Sequence, residues 1–216
     1  MKNTALKALL IASVLAPVAA LAQDGKAPTT ATFIPKEDID KVNQTEQSLR
    51  TKDENVMVVD IGNENFALGV VHRGSTRNPP PTPAGNGNAA AAQDREPCGR
   101  KMASLPPGGQ PGGITHDHQT EGYYIISGGG TMFTDGYIVN GRHGAQPEPG
   151  GPNGPSCGGM SYGVRKFDVK VGDAVIVPPN VVHGWADIPD HVDYLSFRPS
   201  QHVMQAGWVN PTIAKK

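Results

Sequence analysis

Two stretches of sequence decide the fold: HDHQTEGYYIISG at residues 116–128 and GDAVIVPPNVVH at residues 172–183. Both combine β-branched and aromatic residues with Gly and Pro, a composition that favours short strands separated by tight turns. In the first stretch, His116 and His118 are one residue apart. Residues i and i+2 of a strand project from the same face, so both imidazoles could reach one ion.

Two further ligands are expected, at Glu121 and His183. Glu121 has the wrong parity for a straight strand, so residues 119–120 must bend or bulge if its carboxylate is to converge. His183 follows the turn at Pro178–Asn180, and only a closed fold can bring it back to the first three. A lone histidine in a strand is more often structural than a ligand. Three imidazoles with one carboxylate nevertheless suit Mn, Fe, Ni, Co, Cu or Zn, and we predict one divalent transition metal.

The two stretches resemble the first and second cupin motifs, respectively, and the resemblance covers about residues 105–200. It implies an all-β fold, the double-stranded β-helix or jelly-roll barrel, with the metal held inside by His116, His118, Glu121 and His183. Some positions depart from the family pattern. Glu121 follows His118 after two residues where three or four are usual, Asn180 stands where Gly is usual, and Asp187 where Asn is often found.

The rest of the chain predicts many short strands and one short helix. Pro35 and acidic residues 37–38 suit the first turn of a helix from Lys36 to about Arg50. Residues 56–61 and 66–72 flank a Gly/Asn turn and predict a hairpin. Later strands are predicted at 123–127, 131–134, 136–139, 163–169, 174–177, 181–185 and 194–198, with turns at 128–130, 171–173 and 178–180. This pattern is typical of an all-β sandwich or barrel.

The domain organisation follows from the two ends of the chain. Residues 1–22 carry Lys2 and Lys7 before an apolar run that ends in Ala-Leu-Ala, as in a secretory signal peptide; the run is short for a membrane anchor. Residues 23–216 are predicted to form a single cupin domain, periplasmic or secreted, with no membrane span after cleavage. The net charge of −1 and the lack of a Lys/Arg block argue against nucleic-acid partners.

Two low-complexity loops are predicted, at about residues 78–97 and 141–159. Cys98 and Cys157 lie in or beside them. An exported protein favours a disulfide between these cysteines over their use as metal ligands, because no second Cys or His lies at a chelating spacing from either. Two loops joined by this disulfide could form a lid over one mouth of the barrel or a plain surface insertion. The sequence does not distinguish these two interpretations.

Side chains at alternate strand positions, on the same face as the ligands, are expected to line a substrate pocket. Tyr123, Ile125 and Trp185 meet this condition, although each also fits a plain core position. Arg198 could anchor a substrate carboxylate or lie on the surface. These residues favour an organic small-molecule substrate over a bare inorganic ion.

The function that these features predict is a metalloenzyme acting on a small carbonyl, enol or phenolic compound. Lyase, decarboxylase, isomerase or dioxygenase chemistry would fit such a metal. Candidate acid/base residues are Glu121, Tyr124 and His191, with His143 if a loop folds over the mouth. The alternatives are a non-catalytic periplasmic small-ligand-binding cupin and, less favoured, an interaction module. By resemblance, residues 56–72 could form a homodimer.

Overall fold

The structure is a computed structural model that describes residues 28–44, 51–78, 95–144 and 153–214. The predicted signal peptide at residues 1–22 lies outside these ranges. The described residues form one helix and eleven strands: α1 Lys36–Gln44, β1 Thr51–Asp60, β2 Asn65–Gly74, β3 Pro97–Cys98, β4 Gln110–His116, β5 Glu121–Thr134, β6 Tyr137–His143, β7 Ser156–Tyr162, β8 Arg165–Lys170, β9 Ala174–Val177, β10 His183–Asp187 and β11 His191–Ser200. The prediction of an all-β fold with a short N-terminal helix is confirmed.

The first elements agree with their sequence signals. Helix α1 begins at Lys36, and its first turn closes on the carbonyl oxygen of Pro35. Its buried Val42 packs on Val56 and Val70, which lie on the outer face of the antiparallel β1–β2 hairpin. The rest of the predicted helix, at residues 45–50, lies outside the described residues.

The strands form two antiparallel sheets that share β5. In the first sheet the order is β1-β2-β11-β5-β9, and in the second it is β8-β5-β10-β4-β7-β6-β3. The first half of β5 pairs with β11 and β9, and its second half pairs with β8 and β10. Two packed antiparallel sheets joined in this way are the jelly-roll arrangement that the sequence predicted.

The glycine run at residues 128–130 is not the predicted turn. It lies inside β5, where the strand passes from one sheet to the other. A Cβ on Gly129 would lie 2.5 Å from the carbonyl oxygen of Val169, and one on Gly130 would lie 2.5 Å from that of Asp187. The glycines are therefore needed because β8 and β10 approach β5 closely from its two sides.

The main core fills the space between the two sheets. Its buried residues come from strands of both sheets and include Tyr123, Ile125, Met132, Val192 and Tyr194. Trp185 is partly buried and packs against this cluster. Burial of this apolar surface is the main stabilising contribution to the fold, and it leaves one end of the inter-sheet space for the polar groups described below.

The predicted disulfide is present between Cys98 in β3 and Cys157 in β7, with their Cα atoms 5.9 Å apart. Both strands pair with β6, so parts of the two predicted loops belong to the second sheet. The described portion of the chain contains no helix long and apolar enough to cross a membrane. The homodimer through residues 56–72 stays a prediction.

Candidate metal centre

Three potential metal ligands converge at one end of the space between the sheets. His116 is the last residue of β4, Glu121 the first of β5 and His183 the first of β10. Each is only 3% exposed. The Nε2 atoms of His183 and His116 lie 3.3 Å and 3.7 Å from Oε2 of Glu121, and one ligand atom from each of the three residues lies within 4.8 Å of the others.

A backbone hydrogen bond joins the two histidine-bearing segments. The N–H of Asn180, in the turn before β10, donates to the carbonyl oxygen of His116 at 2.8 Å. Asn180 has a φ of 64°, a left-handed conformation that Asn tolerates better than most residues. Asn can therefore replace the Gly that is usual at this position of the motif.

The ring orientation of His183 leaves one nitrogen available for a metal. Its Nδ1 donates to the carbonyl oxygen of Val181 at 3.0 Å, so Nε2 is the ring nitrogen that faces Glu121 and that a metal would use. A second buried imidazole, that of His116, has an Nδ1 atom with no hydrogen-bond partner among the described residues. Burial lowers the pKa of His116 to about 4, so this ring is neutral at pH 7.

The carboxylate of Glu121 is held in place from several sides. The hydroxyl of Tyr123 donates to Oε2, while Arg198 Nε, at 3.1 Å, and Gln119 Nε2, at 3.3 Å, donate to Oε1. Burial alone would raise the pKa of Glu121, but the hydrogen bond with His183 and the charge of Arg198 hold it below its ordinary value. Glu121 is therefore ionised and aimed at the two imidazoles.

Arg198 differs from both sequence-based interpretations. It is 1% exposed, so it does not lie on the surface. All three of its guanidinium nitrogens are engaged within the protein: besides Nε, Nη1 donates to Asn55 Oδ1 at 2.9 Å and Nη2 to Asp53 Oδ1 at 2.5 Å. Arg198 therefore orients Glu121 rather than reaching into open space.

The donor geometry fits a divalent transition ion. Metal–ligand bonds of about 2.0–2.2 Å place neighbouring ligand atoms roughly 3.0–3.5 Å apart, close to the observed 3.3 Å and 3.7 Å. Two imidazole nitrogens and one carboxylate would hold such an ion with three ligands and would leave positions open for a substrate or water.

His118, the remaining predicted ligand, does not join this group in the structure. Its side chain is exposed, whereas those of His116 and Gln119 are buried. Strand β4 ends at His116, and the backbone then bends, with the carbonyl oxygen of His118 accepting from Gln201 N–H at 3.2 Å. The i, i+2 rule holds only within a strand, so it does not place His118 beside His116 here.

A cavity of about 630 Å³ borders the group at His183, the one member of the three that lines it. Of the residues predicted to line a substrate pocket, Tyr123 and Trp185 line this cavity, whereas Ile125 is fully buried in the core. The complete wall comprises Thr51, Arg73, Gly74, Thr76, Gly112, Gly113, Ile114, Tyr123, Gly158, Gly159, His183, Gly184, Trp185 and Ile188. Arg73 and the glycine-rich side of this wall carried no sequence signal that singled them out.

The other predicted acid/base residues lie away from this wall. Tyr124 is 45% exposed, on the opposite face of β5 from Tyr123. His191 contacts Ser127 and Asp190 through its two ring nitrogens, at 2.8 Å and 2.6 Å. His143 lines a separate cavity beside the disulfide. The structure thus brings only Glu121 of the predicted acid/base set to the centre.

No family model matches the sequence, and no curated protein matches it. Solved structures that resemble the chain include KdgF from Halomonas sp., with 10% identity, 80% of this chain and 96% of that chain covered and a TM-score of 0.38. A cupin protein from Bacteroides fragilis has 12% identity, coverages of 70% and 77% and a TM-score of 0.30. Peruvianin-I, a cysteine peptidase from Thevetia peruviana latex, has 11% identity, coverages of 96% and 99% and a TM-score of 0.39.

These likenesses are distant and concern the fold alone. In this chain itself, both motif segments contribute to one buried His-Glu-His group between the sheets of a jelly roll. That architecture is the jelly-roll fold that the two motifs predicted.

Proposed function

We propose that this chain is a metal-dependent cupin enzyme acting on a small organic compound with a carbonyl, enol or phenolic oxygen. The observation that carries the proposal is the convergence of His116, Glu121 and His183, of which His183 lines a cavity of about 630 Å³. A buried group of this kind, open on one side to a partly aromatic cavity, fits a catalytic site better than a structural metal site, which is normally closed.

The proposed reaction belongs to one of two classes. The first is lyase, decarboxylase or isomerase chemistry, and the second is dioxygenase chemistry. A bound divalent ion stabilises negative charge on a substrate oxygen and, if it is redox-active, gives access to dioxygen chemistry. Trp185 and Ile114 supply apolar parts of the cavity wall. Burial, together with the charge of Glu121, raises the pKa of Tyr123, so its hydroxyl keeps its proton and continues to donate to Glu121 Oε2.

The site of action is proposed to be the periplasm or the exterior of the cell. Cleavage after Ala22 would release the folded domain. The disulfide between Cys98 and Cys157 fits an extracellular protein, since such bonds persist in oxidising compartments.

The test is turnover by metal-loaded protein against a panel of small oxo acids, enols and phenols. Protein reconstituted separately with iron, manganese and zinc is expected to turn over at least one compound and to lose this activity in His183→Ala. The matched control is His118→Ala, which changes an exposed histidine and is expected to retain activity. Tight binding of a compound without turnover in any metal form would instead support the non-catalytic binding protein.

A further inference from the structure

Arg73 places a cationic group in the cavity wall. It lies in β2 beside Thr51 of β1, its partner in the sheet register, and both residues line the cavity. Its Nε donates to the hydroxyl of Tyr194 at 2.9 Å. Among the described residues its other two guanidinium nitrogens have no hydrogen-bond partner, whereas all three nitrogens of Arg198 have one. Arg73 is thus anchored at one edge and keeps two donor nitrogens for a ligand.

Aromatic rings connect Arg73 to the candidate metal centre. The ring of Tyr194 lies 4.5 Å from that of Tyr123 and 5.8 Å from that of Trp185, and Tyr123 donates to Glu121. Arg73, Tyr123, His183 and Trp185 all line this cavity. One organic molecule bound there can therefore contact a guanidinium group, two aromatic rings and the candidate metal centre.

We propose that Arg73 binds a carboxylate of the substrate, which is therefore a small organic acid whose other polar end faces the metal. This inference rests on the proposed function and narrows its substrate class. A planar guanidinium with two parallel N–H donors matches the two oxygens of a carboxylate. Neutral carbonyl and phenolic compounds without an acid group are correspondingly poor ligands.

The first experiment measures calorimetric binding of malonate and of malonamide, its neutral analogue, to metal-free and zinc-loaded protein. Malonate is expected to bind both forms more tightly than malonamide, and the zinc-loaded form more tightly than the metal-free form. Loss of a charge-assisted contact in Arg73→Gln is expected to weaken malonate binding by about ten- to a hundred-fold, with a smaller loss in Arg73→Lys. Arg77→Gln is the control, since Arg77 is exposed and paired with Asp187.

A second pair of variants leaves Arg73 in place. A Cβ on Gly158, in the cavity wall, would contact only the carbonyl oxygen of Gly113 at 3.8 Å, so the wall accepts a short side chain there. Gly158→Asp adds a negative charge, and Gly158→Asn adds a neutral side chain of the same shape. The Asp variant is expected to bind malonate at least about tenfold more weakly than the Asn variant.

The inference is overturned if malonate and malonamide bind equally tightly, or if neither binds. It is also overturned if Arg73→Gln binds malonate as tightly as wild type does, or if Gly158→Asp binds it as tightly as Gly158→Asn does. Its failure is distinguishable from that of the proposed function. A protein that binds zinc at the histidines but ignores Arg73 refutes only the substrate class. A protein that takes up no metal refutes the proposed function, while malonate binding to its metal-free form still tests Arg73.

Discussion

Nε of Arg198 lies 3.1 Å from Oε1 of Glu121, and this ion pair is almost completely buried. The bond fixes one carboxylate oxygen, so the other, Oε2, is turned towards the two imidazoles. Arg198 is in turn fixed by Asp53 and Asn55 from β1. The geometry of the candidate metal centre therefore depends on a strand that contributes no ligand to it.

Replacing Arg198 by Met is expected to destabilise the protein strongly. The change leaves the buried carboxylate of Glu121 and the partly buried carboxylate of Asp53 without their cation, and loss of one partner of a buried ion pair costs about 3–5 kcal/mol. Urea unfolding of the metal-free protein measures the effect. Arg165→Met is the control, because the Arg165–Asp135 pair is exposed and such pairs contribute about 0–1 kcal/mol. Equal losses in both variants would contradict the proposed role of Arg198.

The ligand set predicts different effects of two histidine substitutions on metal affinity. His183→Ala removes a buried nitrogen from the centre and is expected to lower zinc affinity at least about a hundredfold, whereas His118→Ala removes an exposed ring and leaves it within about threefold. Competition with a chromophoric chelator measures both. A large loss in His118→Ala would show that His118 enters the metal site and that the loop after β4 rearranges around the ion.

The left-handed residue in the turn before His183 predicts a second contrast. Asn180→Gly is expected to change the free energy of unfolding little, since Gly adopts a φ of 64° without strain. Asn180→Val places a β-branched residue in this conformation, costs about 1–2 kcal/mol and weakens zinc binding because the turn positions His183. Thermal unfolding measures the change in stability, and competition with a chelator measures the change in zinc affinity. If Val is tolerated as well as Gly, the turn does not control the site.

The disulfide predicts a loss of stability that does not reach the metal site. Cys98 and Cys157 are 59 positions apart in the sequence. Removing such a crosslink lowers the free energy of unfolding by about 2–4 kcal/mol. Cys98→Ser/Cys157→Ser is therefore expected to unfold at lower urea concentration and to bind zinc normally below its transition. A reducing agent should lower the stability of wild type and leave the double variant unchanged. Unaltered stability of the double variant would contradict this account.

Much of the fold could be predicted from local patterns. Alternating β-branched residues and turn signals predicted the β1–β2 hairpin, and the two motifs predicted a barrel that brings His183 back to His116 and Glu121. The Gly128–Gly130 run was misinterpreted because sequence alone does not distinguish a glycine turn from a strand pressed between two neighbours.

The parts of the site that were missed depend on contacts distant in sequence. Arg198 meets Asp53 and Asn55 only because β11, β2 and β1 are neighbours in one sheet, and no spacing rule encodes that meeting. The prediction for His118 depended on how far β4 continues, and the strand ends at His116. Parity arguments are therefore only as good as the strand boundaries on which they rely.

The most direct test of the central claim is an anomalous-scattering map, recorded at the zinc edge from a crystal of the zinc-loaded protein. One peak is expected within about 2.0–2.3 Å of Nε2 of His116, Nε2 of His183 and a carboxylate oxygen of Glu121. The absence of a peak between these residues, or a peak only at exposed His118, would contradict the assignment of this group as the metal centre.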